Sequence, residues 1–196
     1  FDVMARQPKI CNYLDIPLQH ASDSVLQRMK RQTTREEQRQ LILEARNKVP
    51  NIAIRTTFLV GFPGETEEEF EELCDFVQEM QFDRMGVFQY SHEEDTSAYL
   101  AEDDVDTDLK AERASTLMAI QQDISNDKNH QKVGQTYRVL IDRKEGEYFV
   151  GRTEYDSPEV DNEVLVDAKK YFLHIGDFTN IRITQADDYD LYGEPA

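Results

Sequence analysis

Between Ile52 and Thr66 the chain reads IAIRTTFLVGFPGET, and no other stretch restricts its fold as strongly. Ile52–Val60 is nearly continuous in apolar and β-branched residues, as expected of a parallel strand covered on both faces. Gly61–Gly64 then turn the chain. Thr66 and Glu69 form a capping box, and Phe70, Leu73, Val77 and Met80 follow at helical spacing. Glu67, Glu68 and Glu69 fill the first turn of that helix, where its dipole favours negative charge. A strand feeding a tight turn and then a helix opens a βαβ unit, so the stretch commits the chain to α/β architecture with a parallel sheet.

The flanking sequence extends the pattern. Tyr13–Leu18 is a short apolar run in which Pro17 suits a strand end. Ser22 or Asp23 can cap a short helix carrying Val25, Leu26 and Met29. Thr34 and Glu37 make another capping box, with Leu41, Ile42, Ala45 and Val49 on one face, before Pro50 stops the helix. Met85–Tyr90 supplies a further strand, giving the order β-α-β-α-β. Glu102–Asp108 reads as a solvated acidic connector to one long helix over Thr107–Val133, with Leu109, Leu117, Ile120 and Ile124 inward and Gly134 as its stop.

Beyond Gly134 the helical period disappears. Tyr137–Asp142 and Glu147–Thr153 predict a hairpin around Arg143–Gly146, and Val164–Val166 and Phe178–Gln185 predict further short strands. Closely spaced short strands of this kind suit a small closed β-barrel. Two domains are therefore expected: residues 1–133, an α/β unit with its long helix, and residues 134–196, a β-barrel.

Charge bears on partners. Lys and Arg number 22 against 40 Asp and Glu, a formal net charge of −18, of which −7 falls from Gly134 onward. So acidic a chain is not expected to take nucleic acid as its direct substrate, because phosphate contacts need cations, nor to dock on an anionic membrane. Its electrostatic complement is a basic protein. The 9 Tyr and 10 Phe argue against an acidic disordered tail. Cys11 and Cys74 stand far apart without zinc-ligand spacing, which excludes a disulfide scaffold and fits a reducing, cytoplasmic compartment. No apolar run is long enough to span a membrane. The opening FDVMARQ carries neither an initiator Met nor a signal pattern, as expected of a piece of a longer protein.

Candidate site residues gather at strand ends, where α/β proteins bind ligands. Gly61–Gly64 fit two readings: backbone left bare for a ligand, or a turn that needs glycine dihedrals. A phosphate loop is excluded, since no Lys-Ser/Thr follows and Glu65 and Glu67–Glu69 would repel phosphate. Arg55 lies inside an apolar strand and must either pair with a buried carboxylate, Asp15 being one choice, or face an anionic ligand. Gln19, His20 and Ser22 follow the first strand. No nucleophile–base–orienter set can be assembled from spacing.

Four blocks, YLDIPLQHAS (13–22), RMKR (28–31), RTTFLVGFPGET (55–66) and FQYSHEEDTSA (88–98), together resemble the methylthiotransferase branch of the radical S-adenosylmethionine enzymes. Residues after Gly134 resemble that family's TRAM domain, a small β-barrel. LDIPLQHAS, EEDTSA, GRTEYDSPEVDNEV (151–164) and the ending DYDLYGE (188–194) resemble the RimO type rather than the tRNA-modifying MiaB type.

The resemblance implies the second half of a radical SAM (partial TIM-like) barrel, followed by the OB-like TRAM barrel. It implies an enzyme that methylthiolates the β-carbon of an aspartate in ribosomal small-subunit protein twelve, a basic partner met free or on the ribosome. S-adenosylmethionine and two 4Fe–4S clusters would serve the full-length enzyme, the second cluster in sulfur and methyl delivery. Gln19, Ser22, Arg55, Val60, Gly61, Phe88 and Tyr90 are the positions implied for cofactor contacts. The family's cluster-binding cysteine triplets are absent, so the chain by itself is expected to hold no cluster and to be inactive. An uncovered strand edge would favour dimerisation. The alternatives are a MiaB-type tRNA methylthiotransferase and a non-catalytic module that recruits a ribosomal protein.

Overall fold

In the computed structural model, which describes residues 1–94 and 98–196, the strands β1 (Tyr13–Gln19), β2 (Ala53–Val60) and β3 (Arg84–Gln89) form a parallel sheet in the order β1-β2-β3. Thr56 pairs with Ile16 on one side and Met85 on the other. Pro17 does not end β1 but sits within it, on an outer strand that tolerates a missing amide. There the ladder shifts between Ile16 and Gln19, and the Thr56 hydroxyl bridges the irregularity, donating to the Ile16 carbonyl (2.8 Å) and accepting from the Leu18 amide (3.4 Å).

The helices α2 (Asp23–Arg28), α3 (Arg35–Lys48) and α4 (Glu67–Met80) connect these strands, and α5 (Thr107–His130) follows them; a short α1 (Asp2–Arg6), not anticipated from the sequence, precedes β1. Both capping boxes form: Thr34 accepts from the Glu37 amide and Thr66 from the Glu69 amide, each carboxylate reaching back to its cap amide. Ile42, Ala45, Phe58, Val60, Leu73, Phe76, Val77, Phe82 and Leu117 fill one core between sheet and helices. Burying such side chains contributes roughly 1.5–3 kcal/mol each.

Several local expectations need correction. Ser22 sits at the α2 N-cap without a side-chain cap bond, and Asp23 instead accepts the Arg35 amide (2.7 Å) at the start of α3. Leu41 is exposed, since Gln38, Ile42 and Ala45 take the inward face of α3. The helix α5 stops at His130 rather than Val133, and Leu109 is only half-buried. Its buried residues are largely polar, Lys110, Arg113, Gln121, Ser125 and Asn129 among them, because they satisfy polar groups of the loops and strands beneath: Gln121 reaches the Phe82 carbonyl (3.0 Å) and Asn129 that of Asp187 (3.1 Å). The acidic connector is not merely solvated. Asp104 accepts the Gly64 amide (2.6 Å) and Asp106 caps α5 through the Asp108 amide (2.8 Å).

After α5 come β4 (Thr136–Glu145), β5 (Tyr148–Arg152), β6 (Val164–Asp167), β7 (Phe178–Ala186) and β8 (Leu191–Pro195), closed into a barrel in the order β4-β5-β6-β8-β7. The strand β8 was not read from the sequence; it closes the barrel by pairing parallel to β6 and antiparallel to β7. Val139, Ile141, Val164, Val166, Ile181, Ile183 and Leu191 fill its interior. Gly151 and Gly193 let strands cross closely, because a Cβ at either would lie within 2.7 Å of a backbone oxygen.

The segment between β5 and β6 reaches the sheet. Asp161 accepts Arg55 Nη1 (2.6 Å) and the Tyr13 hydroxyl (2.7 Å), and Asp156 accepts Arg84 Nη2 (2.5 Å). Arg55 and Arg84 are register partners near the starts of β2 and β3, so the barrel closes the N-terminal end of the sheet and leaves the C-terminal strand ends clear of it. No helix among the described residues is long and apolar enough to cross a membrane.

Candidate functional site at the strand ends

At the end of β1, Gln19 adopts a left-handed backbone (φ 75) that turns His20 inward. His20 is fully buried; its Nδ1 accepts the Ser22 amide (3.0 Å), while Nε2 has no hydrogen-bond partner among the described residues and lies 3.7 Å from Glu65 Oε2. Nδ1 as acceptor places the proton of the neutral ring on Nε2. Burial drives the imidazole pKa down to about 3, with Arg28 and Arg113 adding to the fall and Glu69 opposing it.

Beyond β2 the chain turns at Gly61, and Glu65 folds back over the turn. Its Oε2 accepts the amides of Gly61 (2.8 Å) and Phe62 (3.2 Å), and its Oε1 accepts Arg113 Nη1 (2.9 Å) from α5. Burial pushes the Glu65 carboxyl upward while Arg113 and the two amides oppose it. Gly61 has φ +72, and a Cβ there would meet Lys110 Cγ at 2.2 Å. Of the two readings of this glycine, the turn and the packing of Lys110 account for it.

Lys110 is buried and sits between both Asp103 oxygens (2.7 Å each), with its Nζ 5.1 Å from the Tyr90 ring centre. Tyr90, just past β3, gives its amide to the Val60 carbonyl (2.9 Å) and packs edge-on against Phe62. Val25, Phe62 and Tyr90 form a small separate core against which Leu59 packs.

The structure thus brings Val60, Gly61 and Tyr90 into direct contact and joins Gln19 and Ser22 to them through His20 and Glu65. Phe88 stands apart, 63% exposed, beside its register partner Leu59 on the open sheet face. Arg55 is not part of this cluster; it lies toward the other end of β2, with Asp161 as its close partner and Asp15 at 3.6 Å. Asp95–Ser97, within the FQYSHEEDTSA block, lie outside the described residues. Glu65, Lys110 and Arg113 escaped sequence reasoning: Glu65 reads as one of a run of glutamates, and a lysine or arginine on a long helix ordinarily faces water.

Cluster ligands do not fit these residues. Cys11 is exposed, and Cys74 packs half-buried against the core, where burial and neighbouring acidic groups push its thiol up to about 11 and disfavour the thiolate a metal needs. Among the described residues no group of three or more His, Cys, Asp or Glu could hold a metal ion. An adenosyl group fits better, because the open face offers the exposed Phe88 ring beside Leu59.

The Radical SAM superfamily matches residues 1–77 and the TRAM domain matches residues 133–195. The chain is similar to Escherichia coli coproporphyrinogen III oxidase HemN, a radical SAM enzyme, with TM-score 0.51 and 23% identity over 59% of this chain and 27% of that one, a likeness of fold. Proteins named ribosomal protein uS12 methylthiotransferase RimO are 60% identical over 195 residues in Flavobacterium johnsoniae and 58% over 194 in Christiangramia forsetii. These cover 100% and 99% of this chain, which spans 45% and 43% of the relatives' own lengths. With near-complete alignment to these relatives and both domain matches in place, the chain belongs to the RimO family of radical SAM proteins.

Proposed function

We propose that the complete protein methylthiolates an aspartate β-carbon of ribosomal protein uS12 in the cytoplasm, and that this chain supplies the wall of its cofactor site together with a barrel for its basic substrate. The observation that carries the reading is the 60% identity to a RimO protein over 195 residues, the entire chain. Bound S-adenosylmethionine would supply the radical that removes hydrogen from the substrate carbon, with two iron–sulfur clusters held by residues beyond this chain. Gln19, Ser22, Val60, Gly61, Phe88 and Tyr90 would border the adenosyl group, the rigid turn around Glu65 keeping their backbone in register. Arg55, engaged by Asp161, would act by positioning the sheet against the barrel. The barrel's charge of −7 favours a basic protein over RNA.

Incubating the reconstituted complete protein with uS12, S-adenosylmethionine, sulfide and a reductant is expected to add one methylthio group to an aspartate, read by mass spectrometry of peptides. Modification of a tRNA adenosine instead would replace this reading with the MiaB type. Removing residues 134–196 is expected to weaken uS12 binding; unchanged affinity would remove the barrel from substrate recruitment.

A further inference from the structure

Away from the strand ends, a cavity of about 480 Å³ opens where the N-terminal ends of β2 and β3, the end of α3, the end of α5 and the barrel meet. Although the chain carries −18 overall, Arg46, Arg84, Lys128 and Lys132 all line this cavity, and Asp83 is the one carboxylate on its wall among the described residues.

The ion pairs leave an imbalance. Lys128 is matched by Asp83 (2.7 Å) and Arg84 by Asp156 (2.5 Å). Arg46 donates only to the Gln81 carbonyl (2.9 Å) and Lys132 only to Asn129 Oδ1 (3.1 Å), so neither has a carboxylate partner among the described residues. Arg84 is 8% exposed, and its Nε has no hydrogen-bond partner among the described residues. Burial and the neighbouring Arg84 and Lys128 lower Lys132 to about 8 against the opposing pull of Asp156 and Asp83, and burial pulls Arg46 down against Asp83, so the carboxylates nearby do not offset the desolvation of these cations. A bound anion would relieve Arg46, Lys132 and the Arg84 Nε together.

We propose that this interdomain cavity binds a small phosphate-bearing anion through Arg46, Lys132 and Arg84. Several cationic donors around one space match a multiply charged oxyanion better than a single carboxylate. The volume suits a small molecule. Tyr137 and Tyr155, with perpendicular rings 6.4 Å apart, give it an aromatic wall on the barrel side. A polyanion such as RNA is disfavoured because the chain's net charge of −18 would repel its remaining phosphates. Since the walls come from both domains, occupancy would tie the barrel to the sheet.

Calorimetric titration of the complete protein with inorganic pyrophosphate, with acetate in parallel, tests this. Saturable one-to-one binding of pyrophosphate is expected, and Arg46→Gln and Lys132→Gln should each weaken it on the order of tenfold by removing a charge-assisted contact. Lys132→Met should weaken binding at least as much as Lys132→Gln while the ligand-free protein melts at the same or a higher temperature, which separates lost binding from lost folding. Absence of saturable pyrophosphate binding, or binding that these variants leave unchanged, would overturn the proposal. So would an RNA oligonucleotide that binds through Lys132 when pyrophosphate does not.

Discussion

Arg55 of β2 and Asp161 of the barrel meet at 2.6 Å across 106 residues of sequence, and through this pair the barrel is locked onto the sheet. Asp161 is almost wholly buried and also takes the Tyr13 hydroxyl and the Ser157 amide, so its carboxylate is saturated by groups from both domains. A carboxylate desolvated to this degree is tolerable only with such partners.

Asp161→Ala should therefore cost about 3 kcal/mol in denaturant unfolding, because Arg55 and Tyr13 lose their shared acceptor. Asp15→Ala, which removes the more exposed and more distant partner of Arg55, should cost less than about 1 kcal/mol. Equal losses for the two variants would show that the domain contact does not depend on Asp161.

His20 makes stability depend on pH in a defined direction. Its folded pKa of about 3 lies below the ordinary 6.5, so the unfolded chain binds the extra proton first as pH falls. Stability contributed by the neutral ring is present above about pH 6.5 and is lost on acidification toward about pH 3. Between about pH 7.5 and about pH 5 the loss should reach roughly 2 kcal/mol, and His20→Gln should abolish that slope. Parallel pH profiles for the two proteins would count against a buried neutral imidazole.

Gly61→Ala and Gly146→Ala form a matched pair. Both glycines have positive φ, but a Cβ at position 61 would strike Lys110 whereas position 146 is open. Gly146→Ala should cost about 1 kcal/mol from backbone strain alone, and Gly61→Ala should exceed about 2 kcal/mol because Lys110 must leave Asp103. Thermal melts of both variants would rank them.

The chain alone should not assemble an iron–sulfur cluster. After anaerobic incubation with iron and sulfide, desalted protein is expected to retain far less than stoichiometric iron, since Cys74 is held as a thiol in a packed helix face. Cluster absorbance with stoichiometric iron would contradict the assignment of all ligands to residues elsewhere.

The α/β order and the capping boxes were legible in the sequence because their determinants are local: Thr66 and Glu69 stand three positions apart and bond to each other wherever that helix forms. The strand β8 was not legible, since it is a strand only by virtue of lying between β6 and β7. The strand-end turn could be read from Gly61 and the preceding apolar run. Its scaffold could not, because the partners of Glu65 and Lys110 are selected by burial, which leaves no mark on an acidic run or a helical lysine.

By itself, then, the sequence determined the succession of strands and helices, the acidic character and the family motifs, all of which follow from periodicity and from neighbours a few residues apart. Only the tertiary structure decided which charges are buried and with whom: Asp161 with Arg55, Asp156 with Arg84, Glu65 with Arg113, and Arg46 and Lys132 without a carboxylate ion-pair partner among the described residues. The physical reason is desolvation. A charge in water is nearly indifferent to its neighbours, and only when folding removes the water does the identity of its partner govern stability and function.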